Sequence, residues 1–455
     1  METSKLSDRE KKSILTACLI GAFLTPFVLS SVNIAIPQMA EELRLTISDM
    51  ANLSIYFLIT SFSFLLPAAK IADIYGRIKT LKAGFALFGF FSALCSISEN
   101  SYSLLTFRAA QGAGSALIFA NVMAVITSAF PKGERGRAIG LAAASIYLGL
   151  TLGPFLGGML LKFFSWKIIF QLSSGLSFTA WLAASLLIKS EFIAGEGKFN
   201  ILNTAIYLLL ALIFSFSFSN ISKMPFLFFL SSFFLFLFLR KDFSSGDSFG
   251  LKPLIANKAY TFALIAAFFH YAGTFSLTFI FSLYLQYYLG LNPQKAGLIL
   301  FLMPLFMMIF SPIAGKYSDS HSPGKIASSG IAVSFLGIAI AFINGSPGVF
   351  LSALLLSLIG AGFAFFSSPN TNSAMSSLDF NQYSSGSAFL SAARLFGQNI
   401  SMVLAGYIMK LMLADNPVTI NLPAFVKSFR IILSGGVLFL FSAAYFSLKR
   451  IRNER

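Results

Sequence analysis

The sequence predicts an all-α polytopic membrane protein of fourteen transmembrane helices, laid out as two six-helix bundles plus an inserted two-helix hairpin. Three observations carry this. Of the 455 residues, 56% are hydrophobic and 11% charged, with a mean hydropathy of +0.79, too apolar for a chain that folds in water. The apolar residues run in stretches of about 20, the length a 30 Å hydrocarbon core demands. The chain also repeats itself at an offset of 246 to 248 residues.

The fourteen stretches begin near Ser13, Met50, Leu81, Leu104, Ala138, Ile168, Ile201, Met224, Ala259, Ala296, Ile326, Val349, Ser384 and Ala424. The first follows Lys11 and Lys12 as a signal peptide would. Its apolar part is long, lacks a small-residue cleavage site and contains Pro26 and Asn33, which reads as a retained helix. The fourth carries Arg108 and Gln111, and the fifth carries Gly149, Gly153, Pro154 and Gly157. The seventh and eighth form a Phe-rich pair without charge, SFSFS then FLFFLSSFFLFLF. It reads as a lipid-facing packing element, with a gate or lateral entry for lipid-like solutes as the other reading. His270 and Tyr271 fall in the ninth stretch, Asn370 and Asn372 in the twelfth, and Arg394 and Gln398 in the thirteenth. Polar interruptions are only of linker length, so no water-soluble domain is expected.

Charge fixes the expected orientation. With the N-terminus inside, 23 of the 33 Lys and Arg residues lie in cytoplasmic segments, 8 outside and 2 in spans. The positive-inside rule then puts both termini in the cytoplasm of a multi-pass cytoplasmic-membrane protein. A net charge of +16 needs no nucleic acid, because the excess flanks spans on the side of anionic headgroups. Cys18 and Cys95 both sit in apolar stretches, only two histidines exist, and no apolar stretch holds an Asp or Glu. Neither a metal, nor a cofactor, nor an enzyme active site has the side chains it needs. No G-x-x-x-x-G-K-[ST] loop offers ATP drive, and a monomer suffices.

The repeat sets the domain plan. KIADIYGR around Asp73 recurs loosely as GKYSDSHS around Asp319 at an offset of 246; Gly112 to Gly114 matches Gly360 to Gly362, and Gly149 and Gly158 match Gly397 and Gly406, at 248. The expected divisions are a bundle at 1–192, a hairpin with its linkers at 193–252, and a second bundle with a cytoplasmic tail at 253–455. Two such halves with a substrate site near the midplane is the plan of rocking transporters.

A charge at membrane depth costs roughly 2.5 to 3.5 kcal/mol on insertion scales, so Arg108 and Arg394 must face protein or water. Both pairs, Arg108 with Gln111 and Arg394 with Gln398, are expected to line a cavity, with snorkelling as the alternative. Asn52, Tyr56, Thr60 and Ser63 form a polar stripe that wets another wall or bonds between helices. His270 is a core residue or, as the mid-span group titrating near neutrality, the proton carrier. Asn370 and Asn372 contact solute or pack helices. Asp73, Gly76 and Arg77, with Glu134 and Arg137 of the KGERGR loop, are expected to latch one state through Arg77–Glu134 and Arg137–Asp73 pairs, with Asp319 repeating Asp73. Gly149, Gly153 and Gly157 recur every four residues as a smooth stripe, which with Pro154 makes a gate or merely a packing face.

These motifs resemble the major facilitator superfamily, in particular its fourteen-span drug:proton antiporter branch. AKIADIYGRIK (Ala69 to Lys79) is similar to its loop motif, LTFRAAQGAG (Leu105 to Gly114) to its arginine motif and GLTLGPFLGG (Gly149 to Gly158) to its antiporter motif. SWKIIF near Trp166, YLQYYLGLNPQKAGLILFLMP (Tyr284 to Pro304) and SGSAFLSAARLFGQ (Ser385 to Gln398) are also similar. The branch's first span often carries an acid where VLSSVNIAIP has Val28, while Asn33 and Pro37 remain. The resemblance implies a secondary transporter that exports amphipathic or lipophilic small molecules by alternating access, in exchange for protons. A proton-independent facilitator or importer of an organic anion or lysolipid, and a non-transporting membrane sensor or scaffold, are the competing readings.

Overall fold

The computed structural model describes residues 6–45, 47–193, 201–219, 224–245, 251–413 and 422–453. The described chain is helical throughout. Its helices are α1 (Asp8–Leu43), α2 (Ile47–Tyr75), α3 (Arg77–Ser96), α4 (Ser101–Ala129), α5 (Lys132–Phe163), α6 (Lys167–Leu187), α7 (Ile201–Ser219), α8 (Pro225–Ser245) and the short α9 (Leu251–Ala256). There follow α10 (Lys258–Thr274), α11 (Leu277–Leu283) running into a π-helical turn at Tyr284–Tyr288, α12 (Pro293–Ser320), α13 (Pro323–Asn344), α14 (Val349–Ser376), α15 (Tyr383–Leu413) and α16 (Leu422–Asn453).

Local chemistry sets many of these ends. Asn100 caps α4 by accepting from the Ser103 N–H at 2.9 Å, and Asn292 caps α12 through the Lys295 N–H at the same distance. Pro323 opens α13, where its missing N–H is no loss, and Gly345 closes it at a φ of 73°. Asp379 and Gln382 form a capping box ahead of α15.

Among the described residues, twelve helical spans are long and apolar enough to cross a membrane. They are drawn from α1 to α7, from α10 joined through α11 to the π turn, and from α12, α13, α14 and α16. The helix α8 and the helix α15, which carries Arg394, Gln398 and Asn399 mid-length, stand outside that set. Several helices outrun their apolar stretches. Thus α2 continues through Asp73 and α12 through Asp319, so the expectation that helical spans hold no acid is corrected: each aspartate rides on a last turn.

The chain divides into two compact units. The first comprises Met1–Pro131, Leu148–Asn257 and Leu378–Ser391; the second comprises Lys132–Tyr147, Lys258–Ser377 and Ala392–Arg455. In the first, α4 packs on α1, α2 and α3, and α6 packs on α1 and α3. The Phe-rich hairpin lies here, α7 against both α2 and α8, with Phe214, Phe218 and Phe228 in mutual ring contact and Ser217 bonded to Ser231. Its Phe226, Phe229, Phe233 and Phe236 are exposed, as lipid-facing side chains are. In the second unit, α14 packs on α10, α12 and α13, and α16 on α10 and α13.

The repeat read from the sequence reappears as packing. Gly112 of α4 lies against Phe57 O of α2, as Gly360 of α14 lies against Met303 O of α12. Gly114 meets the Phe88 N–H of α3, as Gly362 meets that of Ser334 in α13. Gly149 meets Phe23 O of α1, and Gly397 meets Phe268 O of α10. Every one of these close approaches needs a residue without Cβ. Cys18 and Cys95 are both fully buried and unbridged.

Candidate functional site

Arg108 lies at the heart of the first unit, with no exposed surface. Its Nε donates to Leu53 O at 3.1 Å and its Nη1 to Gln111 Oε1 at 2.5 Å, while Gln111 Nε2 donates on to Ser92 Oγ at 2.6 Å. The guanidinium sits 4.5 Å from the Phe57 ring centroid and 5.9 Å from that of Phe170, within cation–π range. Nη2 has no hydrogen-bond partner among the described residues. A permanent cation is thus held in a buried, aromatic setting with one donor in reserve. Nearby, Thr60 Oγ1 donates to Ala109 O at 2.7 Å, so part of the expected polar stripe bonds between helices. Asn52 and Tyr56 are half-buried on α2, and Ser63 is fully buried. The side chain of Asn33 lies outside the described ones.

The turn from α2 to α3 is a second centre. Gly76 has φ 112° and ψ 140°, a conformation side chains rarely adopt, and a Cβ there would strike the Glu191 carboxyl. That carboxylate accepts from the N–H groups of Ile78 (2.8 Å), Lys79 (3.0 Å) and Phe192 (3.0 Å), capping the positive end of α3. Arg77, fully buried, pairs with Asp73 at 3.1 Å and donates to Ser128 Oγ (2.6 Å), Ser384 Oγ (2.7 Å) and Phe380 O (2.6 Å). Ser385 Oγ donates to the other Asp73 oxygen at 3.4 Å.

Within each unit, the residues of the expected latch have partners of their own. Among the described residues the salt bridges are Arg77–Asp73 and Lys167–Glu42, and Glu134 is exposed. Arg137 engages Asp319 through its backbone: the N–H groups of Gly136 and Arg137 donate to Asp319 at 2.7 and 2.9 Å. A carboxylate at the start of α5 opposes the positive end of that helix. The partners follow the repeat, since Ser384 and Ser385 stand 248 residues beyond Gly136 and Arg137.

The glycine stripe of α5 is brought onto α1. Ser30 Oγ donates to Gly149 O at 3.2 Å and occupies the space a Cβ on Gly153 would need; Ser31 Oγ donates to Gly153 O at 3.0 Å and borders Gly157. Pro154 is exposed, and α5 runs through it unbroken.

In the second unit, Arg394 is half-buried. It donates through Nη2 to Thr371 Oγ1, its Nε has no partner among the described residues, and its guanidinium lies 5.8 Å from the Tyr271 ring centroid. Tyr271 Oη lies 3.4 Å from Ser367 Oγ, and Tyr147 stands beside this group. Gln398 is half-buried one turn further along α15. His270 is fully buried, stacked on Phe366 at 4.0 Å with Phe363 edge-on at 4.8 Å, and neither ring nitrogen has a partner among the described residues. Asn370 donates to Ala263 O at 3.1 Å and accepts from Arg450, while Asn372 donates to Ser318 Oγ at 2.9 Å beside Asp319.

Sequence reasoning missed Glu191, Ser384, Tyr147 and Arg450. Glu191 reaches α3 from 113 residues away and no spacing betrays it. Arg450 reads as one of a basic terminal cluster, yet it is fully buried and also donates to Gly324 O and Ser447 Oγ. Its neighbours Lys449 and Arg452 masked that difference.

The sequence model of the Major Facilitator Superfamily matches residues 18–256 and 263–452. Among relatives, the Riboflavin transporter RibZ of Clostridioides difficile is 26% identical over 401 residues, which cover 87% of each chain. Multidrug resistance protein Stp of Mycobacterium tuberculosis is 23% identical over 417 residues, 88% of this chain and 76% of that one. The crystal structure of the human organic anion transporter MFSD10 shares the fold, with a TM-score of 0.68 at 13% identity over 95% of this chain and 99% of that one.

Proposed function

Since the chain belongs to the Major Facilitator Superfamily, and is with its relatives a membrane transporter and not an enzyme, we propose that it exports amphipathic or lipophilic small molecules from the cell. Export runs by alternating access in exchange for protons, across the cytoplasmic membrane, with both termini inside and the protein working as a monomer. In this reading α8 and α15, 21 and 31 residues long, complete fourteen crossings. The chain then divides into two six-helix bundles joined through the α7–α8 hairpin.

The observation that carries the reading is the pair of incompletely bonded guanidiniums, Arg108 on α4 and Arg394 on α15, neither in an ion pair among the described residues. A cation at that depth is expensive to keep and is retained where it serves a solute or an ion path. It favours anionic or neutral amphiphiles over cationic drugs. His270, the imidazole buried in α10, is the proton carrier in this scheme. One inward proton releases about 1.4 kcal/mol per pH unit and about 2.3 kcal/mol per 100 mV, enough to concentrate a solute tenfold or more.

A second reading, a facilitator or importer of a planar organic solute, is favoured by the relative named as a riboflavin transporter. Everted vesicles with an imposed pH gradient separate the two. The arms are a cationic dye, an anionic amphiphile, a lysolipid and riboflavin, each with wild type, Arg108→Ala and His270→Phe. Proton-driven accumulation of an amphiphile, lost in both variants, is expected. Riboflavin movement indifferent to the gradient points to the second reading, and movement of no solute removes both.

A further inference from the structure

A cavity of about 230 Å³ opens in the first unit between the N-terminal turns of α1 and the C-terminal turns of α6. Its floor is apolar: the small Ala17, Ala180 and Ala184, each at most 5% exposed, lie there with Ile20 and Leu187 beside them. Arg9 and Lys12 stand at its mouth and Thr16 one turn deeper. Spacings of three and four residues put all three on one face of α1. The cavity therefore grades from cationic to apolar along the helix axis.

The two cations are uncommitted. Neither forms an ion pair among the described residues, although Asp8 lies one turn before Lys12. The other nearby acid, Glu10, is engaged elsewhere, accepting from the N–H groups of Lys189 (3.0 Å) and Ser190 (2.8 Å). Thr16 Oγ1 donates back to Lys12 O at 2.9 Å, and Ser13 Oγ to Arg9 O at 3.0 Å, so these hydroxyls keep acceptors but no donor at the mouth. Among the described residues, the positive charge at the entrance thus has no ion-pair partner.

We propose that this groove is a binding site for one anionic phospholipid. Its phosphate lies between Arg9 and Lys12, and one acyl chain runs down the alanine floor. The occupant follows from the graded chemistry: a free phosphate has no use for the apolar floor, and a neutral lipid leaves the two cations unmatched. Basic pockets between transmembrane helices take anionic headgroups on the cytoplasmic side, where the proposed orientation puts this end. The site is separate from the arginine centres and independent of what the transporter carries.

The test uses full-length protein in nanodiscs of phosphatidylcholine with a minor fraction of labelled phosphatidylglycerol, and counts retained lipid after transfer to detergent. Wild type is expected to retain phosphatidylglycerol over phosphatidylcholine. Arg9→Gln with Lys12→Gln removes two headgroup charges, each equivalent to about a fivefold change in affinity. Ala184→Phe fills the floor, leaves both cations in place and is expected to abolish retention as well. Circular dichroism melting identifies any variant that fails to fold, and Ala184→Val is then the gentler substitute for the floor. Equal retention of the two lipids by wild type, or full retention of phosphatidylglycerol by the well-folded double variant, overturns the proposal.

Discussion

Gly76 is where one backbone angle decides a local structure. Its φ of 112° and the carboxyl of Glu191 pressed against it both exclude a side chain. Gly76→Ala should destabilise the protein by about 1–3 kcal/mol, read as a lower melting temperature in detergent. Adding Glu191→Ala relieves the collision but not the angle, and it removes the cap on α3, so it should recover little of that loss. A full recovery would falsify the conformational account. At another turn, Glu42 accepts from Trp166 Nε1 at 2.7 Å and pairs with Lys167 at 2.9 Å, and the Lys167 ammonium leads in holding its carboxyl below the ordinary value. A lowered pKa means this contact contributes fully above the unfolded value of about 4.3 and is lost as pH falls through the lower folded value. In a Trp181→Phe background, Trp166 is the one remaining tryptophan. Its emission should change only as pH falls through that lowered value, below the ordinary carboxylate range, and Glu42→Gln should erase that step. The glycine was legible in advance because its neighbours spell a motif. Its partner was not, since a glutamate beyond α6 carries no periodic relation to α3.

At the scale of elements, the α1–α5 contact is the informative one. The four-residue spacing of Gly149, Gly153 and Gly157 already announced a smooth face, but nothing local said which helix meets it. Ser30 and Ser31 answer that, bonding to the α5 carbonyls through the gaps the glycines leave. Gly153→Leu should abolish transport in everted vesicles with protein abundance near normal. Ser30→Gly in the same chain should restore a measurable part, because Ser30 Oγ holds the space the new side chain needs. Failure of that rescue would assign the loss to some contact other than α1. The same scale explains why α15, read from the sequence as the thirteenth span, stands outside the twelve: its polar residues dilute the apolar signal that marks a crossing.

Across the whole molecule, two halves share a packing scheme but not every side chain. Asp73 and Asp319 occupy equivalent places, yet Arg77 has Pro323 as its counterpart. Asp73→Asn leaves a fully buried guanidinium without its carboxylate, a change of about 3–5 kcal/mol for a buried pair. Asp319→Asn removes only an acceptor for two N–H groups. Both variants should slow transport, and thermal melting should find Asp73→Asn much the less stable; equal melting points would mean the asymmetry is immaterial. The twofold plan was legible from glycine offsets because close backbone approach tolerates no substitute. The division of labour between Arg77 and Pro323 was not, because a loose motif match hides which partner each residue finds. Finally, both native thiols, Cys18 and Cys95, are sealed inside their helices. A bulky maleimide finds nothing to modify in the wild-type chain, so any cysteine introduced for sidedness mapping reports alone, without first stripping out the natural ones.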